Sequence, residues 1–412
     1  MIYTIIFLLA LGLSLASRFW LNQRQIKYVH NNREKVPAEF SEKISLEAHQ
    51  KAADYTVAKA KMSRWTMFYD GLILLGWTLG GGIEAVSSWI NNYGFSSLTT
   101  GTLIILVVIL ISAILHLPVS IYSTFVIEKR FGFNKTTVKT FITDLIKGGL
   151  LGLLIGTPII VLILWLMQAS GQFWWLYAWA AWMAFGLLIS WAFPTFIAPI
   201  FNKFSPLKDE KLRDEIQSLL DRSGFKSNGI FVMDGSRRSG HGNAYFTGLG
   251  KNKRIVFFDT LLETLSAKQM LAVLAHELGH FKHKHVLKGL LVGAITSLAG
   301  FAVLAWLLPQ ENIYHQLGVN TPSLATGLIL FALVSPLFTW FFQPLSAWWS
   351  RKHEFEADAF ARQQTSGDDL AHALINLYRD NASTLTPDPL YSRFYASHPP
   401  ALERIEQLKA SQ

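Results

Sequence analysis

The sequence lacks cysteine entirely and is poor in charged residues. None of its 412 residues is cysteine, 16% are charged and 51% are hydrophobic. The absence of cysteine excludes disulfides and thiolate metal sites, so any bound metal must take its ligands from His, Asp or Glu. The low charge, with 14 Trp and 29 Phe residues, argues against an ordinary soluble protein and is typical of a membrane protein.

Internal repeats and low-complexity tracts are also lacking, and long apolar runs dominate the chain. A bilayer core of about 30 Å requires roughly 20 apolar helical residues to cross it. Seven runs meet this requirement and predict seven transmembrane helices: 2–21, 67–90, 100–125, 148–168, 173–200, 286–309 and 326–349. The first run lacks the basic start and clear cleavage site of a signal peptide, so we expect a retained helix.

The basic residues between these runs predict an orientation. Four segments hold nearly all of the 37 Lys and Arg residues: 22–66, 126–147, 202–285 and 350–412. The alternate connections contain none: 91–99, 169–172 and 310–325. In a membrane protein the net charge of +9 is therefore a topology signal rather than an indication of nucleic-acid binding. The positive-inside rule puts the amino terminus outside and the carboxyl terminus in the cytosol.

These patterns predict a mainly α-helical polytopic membrane protein in four parts. Transmembrane helices one to five occupy 1–201, a polar cytoplasmic segment occupies 202–285, helices six and seven occupy 286–349, and a second cytoplasmic segment occupies 350–412. The two large polar segments are predicted to share one side of the membrane. We therefore expect the catalytic or binding residues in these two segments.

The first polar segment has the pattern of a small α/β unit. Residues 211–222 have the spacing of an amphipathic helix, and two short runs read as strands, Gly229–Met233 and Arg254–Phe258. Asn243–Gly248, with a turn at Gly250–Asn252, is expected to form a hairpin with the second strand.

One motif in this segment contains candidate metal-binding and catalytic residues. His276-Glu277-Leu278-Gly279-His280 is an HExxH sequence within a helical run, 266–285, which we expect to continue into the sixth span. The i, i+4 spacing puts both imidazoles on one helical face, and Glu277 can then reach a water bound to a metal there. Zinc lowers the pKa of such a water towards about 7, so a nearby carboxylate can act as general base in peptide hydrolysis.

Zinc of this kind needs a third protein ligand. His283 and His285 are too close in sequence to His276 and His280 to complete the site easily on a continuous helix, and we interpret them as solvated or interfacial histidines of a basic stretch. Glu354 is the better candidate, because two complete spans lie between it and His280 and return the chain to the same membrane face. Asp358 lies four residues later on the same helical face, where it can orient a ligand histidine or exchange a proton.

Seven segments, including the two motifs described above, resemble those of a known family. They are FVIE at 125–128, GFNK at 132–135, IAPIFNKFSPL at 197–207, GNAYFTG at 242–248, HELGHFKHKH at 276–285, RKHEFEADAF at 351–360 and SHPPALERI at 397–405. With these motifs nearly the whole chain resembles the integral-membrane CAAX prenyl proteases of the zinc metallopeptidase type, which are related to heat-shock membrane proteases. The resemblance implies a gluzincin-like protease domain with a small β-sheet, and seven helices that enclose a water-filled chamber.

The same resemblance implies a role for each motif residue. One Zn²⁺ per chain is expected on His276, His280 and Glu354. Glu277 corresponds to the general base, and Asp358 to a proton donor or outer partner of a ligand.

Substrate contacts are implied at two further places. Asn243 and Ala244 match an edge strand along which substrate lies by β-augmentation, and His398 and Arg404 match positions that contact substrate or the oxyanion.

The expected function is hydrolysis near the carboxyl terminus of a peptide or protein substrate, which in prenylated CAAX proteins removes the last three residues. A quality-control protease for membrane proteins would use the same chemistry on less defined substrates, prenylated or not. A metal-binding transporter accounts for seven spans but leaves the HExxH motif unexplained. We expect contact with membrane lipids, no nucleic acid, and an active site on the cytoplasmic side. A bacterial inner membrane is favoured, and the endoplasmic reticulum is the alternative.

The orientation gives a direct test. A reporter fused to the carboxyl terminus should be cytoplasmic, because the chain crosses the membrane an odd number of times from an external amino terminus. Fusions within 91–99 should report from the opposite side and serve as the matched control. An extracytoplasmic signal from the carboxyl-terminal fusion would contradict the predicted topology.

Overall fold

Long helices form the first half of the chain. The computed structural model describes residues 1–247 and 253–410. The helices of the first half are α1 (Ile2–Asn31), α2 (Leu46–Trp77), α3 (Gly82–Asn91), α4 (Ser97–Tyr122), α5 (Val138–Ala169), α6 (Trp174–Ala192) and α7 (Ala198–Phe201). A π-helical turn extends α4 as far as Glu128.

The described residues include six helices long and apolar enough to cross a membrane, or seven if α2 and α3 count as one span. The protein is therefore a multi-pass membrane protein, as predicted. The predicted span 67–90 is bent by 43° between α2 and α3. Thr78 ends α2 by donating its hydroxyl to the carbonyl of Leu74, and Gly81 has a φ of +73°, which glycine adopts without steric cost.

A small mixed sheet follows the first seven helices. Its elements are β1 (Phe204–Pro206), α8 (Glu210–Arg222), β2 (Ile230–Met233), β3 (Ala244–Thr247), β4 (Arg254–Phe258), α9 (Asp259–Thr264) and α10 (Ala267–Lys282). The strand order is β1-β2-β4-β3, with β2 parallel to β4 and the other pairs antiparallel. This order makes β3 an edge strand.

The predictions for this segment are confirmed. The amphipathic helix and both strands lie where the pattern indicated, and β3 pairs with β4 as a hairpin with Ala244 opposite Phe257 and Thr247 opposite Arg254. The predicted turn at Gly250–Asn252, and Gly248, lie outside the described residues.

Helices complete the chain. They are α11 (His285–Leu307), α12 (Glu311–Gln316), α13 (Leu324–Thr339), α14 (Gln343–Gln364), α15 (Gly367–Asp380), α16 (Pro389–Tyr395) and α17 (Ala401–Ala410). The expectation that one helix runs unbroken from residue 266 into the sixth span is wrong. Lys284 has a φ of 57°, and this left-handed residue separates α10 from α11.

One hydrophobic core joins the two polar segments. Its fully buried members come from α8, β4, α10, α14, α15 and α17, and include Leu219, Phe257, Leu274, Ala361, Leu370 and Ile405. Burial of each large side chain contributes about 1.5–3 kcal/mol. The described residues of 202–285 and 350–412 therefore share one hydrophobic core. The four-part division of the chain and the enclosed chamber stay predictions.

The closest contact in this core is between α10 and α14. A Cβ atom added to Gly279 would lie 2.8 Å from the Cα of Ala357, closer than real Cβ contacts come. Ala275 and Ala357 are also fully buried. Small side chains thus let the two helices pack at short range, and this packing brings the HExxH face of α10 opposite Glu354 and Asp358 of α14.

Candidate active site

Three ligand atoms from two helices converge on one point. The Nε2 atoms of His276 and His280 lie 3.3 Å apart, and the two carboxylate oxygens of Glu354 lie 3.4 Å and 3.3 Å from them. His276 and Glu354 are buried, and His280 is partly buried. The structure therefore brings together the three residues that the sequence predicted as metal ligands.

The spacing of these atoms fits a small divalent metal ion. Tetrahedral zinc with bonds of 2.0–2.1 Å has its ligand atoms about 3.3 Å apart. The Oε2 atom of Glu354 is buried and receives no hydrogen bond, because Nη1 of Arg404 lies 3.7 Å from it. A cation bound directly to this oxygen would offset the cost of its burial. Two imidazoles and a carboxylate are also the donor types that zinc prefers. These residues could hold a metal of the size and chemistry of zinc.

A carboxylate fixes the orientation of His276. The Oδ1 atom of Asp358 accepts from Nδ1 of His276 at 2.7 Å, so the Nε2 atom is left free to face the metal position. Arg404 holds Asp358 in turn, with Nε 2.8 Å from Oδ2 and Nη2 2.6 Å from Oδ1. Both Asp358 and Arg404 are almost fully buried. This paired arrangement offsets much of the desolvation cost of each charge.

The electrostatics of His276 indicate that the site attracts positive charge. Burial by itself lowers the pKa of His276, but hydrogen bonds to Asp358 and Glu354 raise the pKa to about 9. The carboxylates therefore stabilise a cation at this imidazole, whether it is a proton or a metal ion.

His280 has a different outer partner, which the sequence interpretation missed. Its Nδ1 atom lies 2.9 Å from Nδ1 of His285, and Nε2 of His285 lies 2.8 Å from Oε2 of Glu356. If Nε2 of His280 binds a metal, its Nδ1–H donates to His285, which then donates to Glu356. Of the two alternatives for His285, the solvated one is wrong, because its side chain is 5% exposed and stacks on His353 with ring centroids 3.9 Å apart.

A cleft of about 300 Å³ opens beside the three ligand atoms. Glu277 lines it next to His276, as a general base would require. Burial raises the pKa of the Glu277 carboxyl, and the neighbouring histidines act in the opposite direction. The cleft also has an apolar side, formed by Leu261, Val273, Leu370, Leu374 and Leu377.

The four predicted substrate contacts also line this cleft. Asn243 and Ala244 reach it from the start of edge strand β3, and His398 and Arg404 reach it from the carboxyl-terminal segment. Nε2 of His398 lies 3.6 Å from Oε1 of Glu354, and the His398 side chain is 63% exposed. Arg404 is instead buried and bound to Asp358.

The fold and this cleft define a class of protein, a membrane-embedded metallopeptidase. Two family descriptions match the chain: CAAX prenyl protease N-terminal, five membrane helices, over residues 25–203, and peptidase family M48 over residues 206–412.

Relatives match over most of their length. CAAX prenyl protease 1 of Saccharomyces cerevisiae is 35% identical over 94% of this chain and 91% of the relative, and the Homo sapiens homolog is 32% identical over 95% and 92%. The crystal structure of S. mikatae Ste24p superimposes with a TM-score of 0.92 at 32% identity over 99% of both chains. The chain therefore belongs to peptidase family M48, and it is a metalloprotease rather than a transporter.

The pairing of Asp358 with His276 gives a testable consequence. Asp358→Asn removes the charge that faces Arg404 and weakens the acceptor for His276, so metal affinity should fall about 10-fold to 100-fold. Competition with a chelator of known affinity measures this change. Asp214→Asn, at an exposed aspartate of α8, is the control and should leave metal affinity unchanged. Wild-type metal affinity in Asp358→Asn would contradict the assigned partner role.

Proposed function

We propose that the protein is a zinc-dependent endopeptidase that cleaves prenylated CAAX proteins near their carboxyl terminus. The observation that carries this proposal is the convergence of the His276, His280 and Glu354 side chains, in which each Nε2 atom lies 3.3–3.4 Å from the other Nε2 or from a Glu354 oxygen, with Glu277 in the adjoining cleft. The substrate class is supported by the names of the relatives, which are CAAX prenyl proteases over most of this chain.

His276, His280 and Glu354 are proposed to hold one zinc ion. When bound, zinc supplies Lewis-acid polarisation of the peptide carbonyl and makes a neighbouring water more acidic. The buried position of two of these ligands keeps bulk water from competing with them. Asp358 and His285 keep the two imidazoles in the tautomer that presents Nε2 to the metal position.

Glu277 is proposed as the general base. Its carboxylate removes a proton from the water that attacks the peptide carbonyl, and it then returns that proton to the leaving amine nitrogen. The raised pKa of Glu277 suits both steps, because the carboxyl must bind a proton in the middle of the reaction and release it at the end.

Asp358 is proposed to orient His276 rather than to donate a proton itself. Both of its oxygens are already bound by Arg404, and one also accepts from His276. His398 is the more accessible group, and its imidazole can donate a hydrogen bond to the oxyanion that develops on the substrate. Arg404 is proposed to act mainly through Asp358.

The edge strand is proposed to align the substrate. Along the described residues β3 pairs with β4 on one side, which leaves the backbone groups of its other side for an extended peptide. Asn243 and Ala244 put the start of this edge in the same cleft as Glu277. The scissile bond of a peptide added there would lie beside the general base.

The membrane location completes the proposal. The active site is proposed to face the cytoplasm, because the segments that form it carry most of the Lys and Arg residues. A bacterial inner membrane stays the prediction for the compartment.

Replacement of the general base tests the reaction. Glu277→Gln should bind zinc as the wild type does but cleave a prenylated CAAX peptide about 100-fold to 10,000-fold more slowly, because only proton transfer is lost. Zinc content and initial rates in detergent measure both effects. The control Glu263→Gln, at an exposed position of α9, should retain the wild-type rate.

Substrate choice needs a second comparison. The wild type should cleave the prenylated peptide faster than the same peptide without the lipid. Equal rates would favour a quality-control protease, and a fast Glu277→Gln enzyme would remove Glu277 from the mechanism.

A further inference from the structure

The substrate-binding edge strand begins in an irregular loop whose conformation needs an explanation. His241 and Gly242 lead directly into Asn243 and Ala244, the two residues that line the cleft. A loop has no strand partner to fix it, so side chains must satisfy and hold its backbone groups.

Asn381, at the end of α15, binds the loop from one side. Its Oδ1 accepts from the backbone N–H of Gly242 at 3.0 Å, and its Nδ2 donates to the carbonyl of the same residue at 3.3 Å. Thr260 donates its hydroxyl to the carbonyl of His241 at 3.0 Å. Three side-chain hydrogen bonds therefore fix the two peptides that precede Asn243.

The His241 side chain extends this support into the membrane helices. Its Nε2 lies 3.5 Å from Oε2 of Glu128, the residue that ends the π-helical turn after α4. Tyr55 of α2 donates its hydroxyl to Oε1 of Glu128 at 2.6 Å. The His241 ring stacks on Phe133 with centroids 4.1 Å apart.

The loop at 131–136 holds the same segment through its backbone. Phe133 accepts from the N–H of Gly240 at 3.0 Å, and Lys135 donates to the carbonyl of Arg238 at 3.1 Å. Glu128 and Phe133 belong to the FVIE and GFNK segments, for which the proposed reaction supplies no role.

Glu128 and Tyr55 touch the loop without reaching the cleft. Neither is among the described residues that line it, and His241 instead lines a neighbouring cavity. Any influence of the Glu128 side chain on substrate is therefore indirect, and its direct contact with the loop is the His241 side chain.

We propose that Glu128, held by Tyr55 and paired with His241, is a positioning residue that sets the backbone of Asn243 and Ala244 for substrate binding. This inference rests on the proposed function, in which the substrate pairs with that edge strand. It gives the membrane helices a direct part in substrate alignment. A small displacement of an aligning strand is expected to weaken substrate binding while the distant metal ligands stay in place.

The experiment compares variants of the full-length protein in detergent on the prenylated CAAX peptide. Glu128→Gln keeps the shape of the side chain but removes the charge facing His241, and it should raise KM about tenfold with kcat within about twofold of wild type. Tyr55→Phe removes a single hydroxyl and is the milder variant, for which a KM increase of about threefold is expected. Zinc content should equal the wild-type value in both.

A double variant distinguishes an effect of Glu128 that acts through His241 from a general loss of structure. Because Glu128 acts through His241, Glu128→Gln/His241→Ala should have the same KM as His241→Ala alone. The control His116→Ala breaks another histidine–carboxylate pair, with Asp70 at 3.7 Å and away from the cleft, and should leave KM unchanged.

The outcomes are distinct. A wild-type KM in Glu128→Gln, or single effects that multiply in the double variant, would overturn the positioning role. A parallel loss of kcat, zinc and thermal stability would also overturn it, because that pattern indicates a purely structural residue. A wild-type enzyme that cleaves no peptide would instead refute the proposed function itself.

Discussion

The close packing of α10 on α14 is the constraint from which the active site follows. Gly279 lies against Ala357 so tightly that even a methyl group would meet the backbone of the facing helix at 2.8 Å. At this separation, His276 and His280, one turn apart on α10, reach Glu354 of α14. Their Nε2 atoms lie 3.3 Å apart, and each lies 3.3–3.4 Å from a Glu354 oxygen, so the three side chains can share one ion. The two helices are far apart in sequence, and the spans between them return the chain to the same face. The proposed metal site therefore depends on one helix–helix contact.

Charge balance explains why so many ionisable groups are buried around that contact. Glu354 and Asp358 bring two carboxylates into the core, whereas Arg404 brings one guanidinium, so these three groups leave an excess of negative charge. A divalent cation bound there would compensate this excess, and the surrounding hydrogen bonds satisfy other polar atoms of the site. The two ligand histidines have unlike partners, a carboxylate for His276 and a neutral imidazole for His280. The same residues thus provide both the metal affinity of the site and the orientation of its ligands.

The side chains that converge in the structure could be selected from the sequence where a short spacing relates them. HExxH identified His276, Glu277 and His280, and counting spans identified Glu354, because even numbers of crossings preserve the membrane face. The i, i+4 spacing from Glu354 also indicated Asp358 as a partner of a ligand histidine. The contacts of His285 and Arg404 could not be found from spacing. His285 becomes a partner of His280 only because Lys284 adopts a left-handed conformation and breaks the helix, and no periodicity in FKHKH indicates that turn. Arg404 meets Asp358 through packing of α17 across the core, a contact between residues 46 positions apart. Glu128 lies in the FVIE motif, whereas His241 directly precedes the GNAYFTG motif, and their contact depends on how the loop at 131–136 folds back.

The central claim is that one zinc ion is shared by His276, His280 and Glu354. X-ray absorption at the zinc edge on the purified wild-type protein tests it most directly, with His280→Ala measured alongside. One zinc per chain, with two imidazole nitrogens and a carboxylate oxygen at about 2.0–2.2 Å, is the predicted result, and the His280→Ala spectrum should lose one imidazole or the metal altogether. A protein that binds no zinc, or a spectrum unchanged by His280→Ala, would contradict the account.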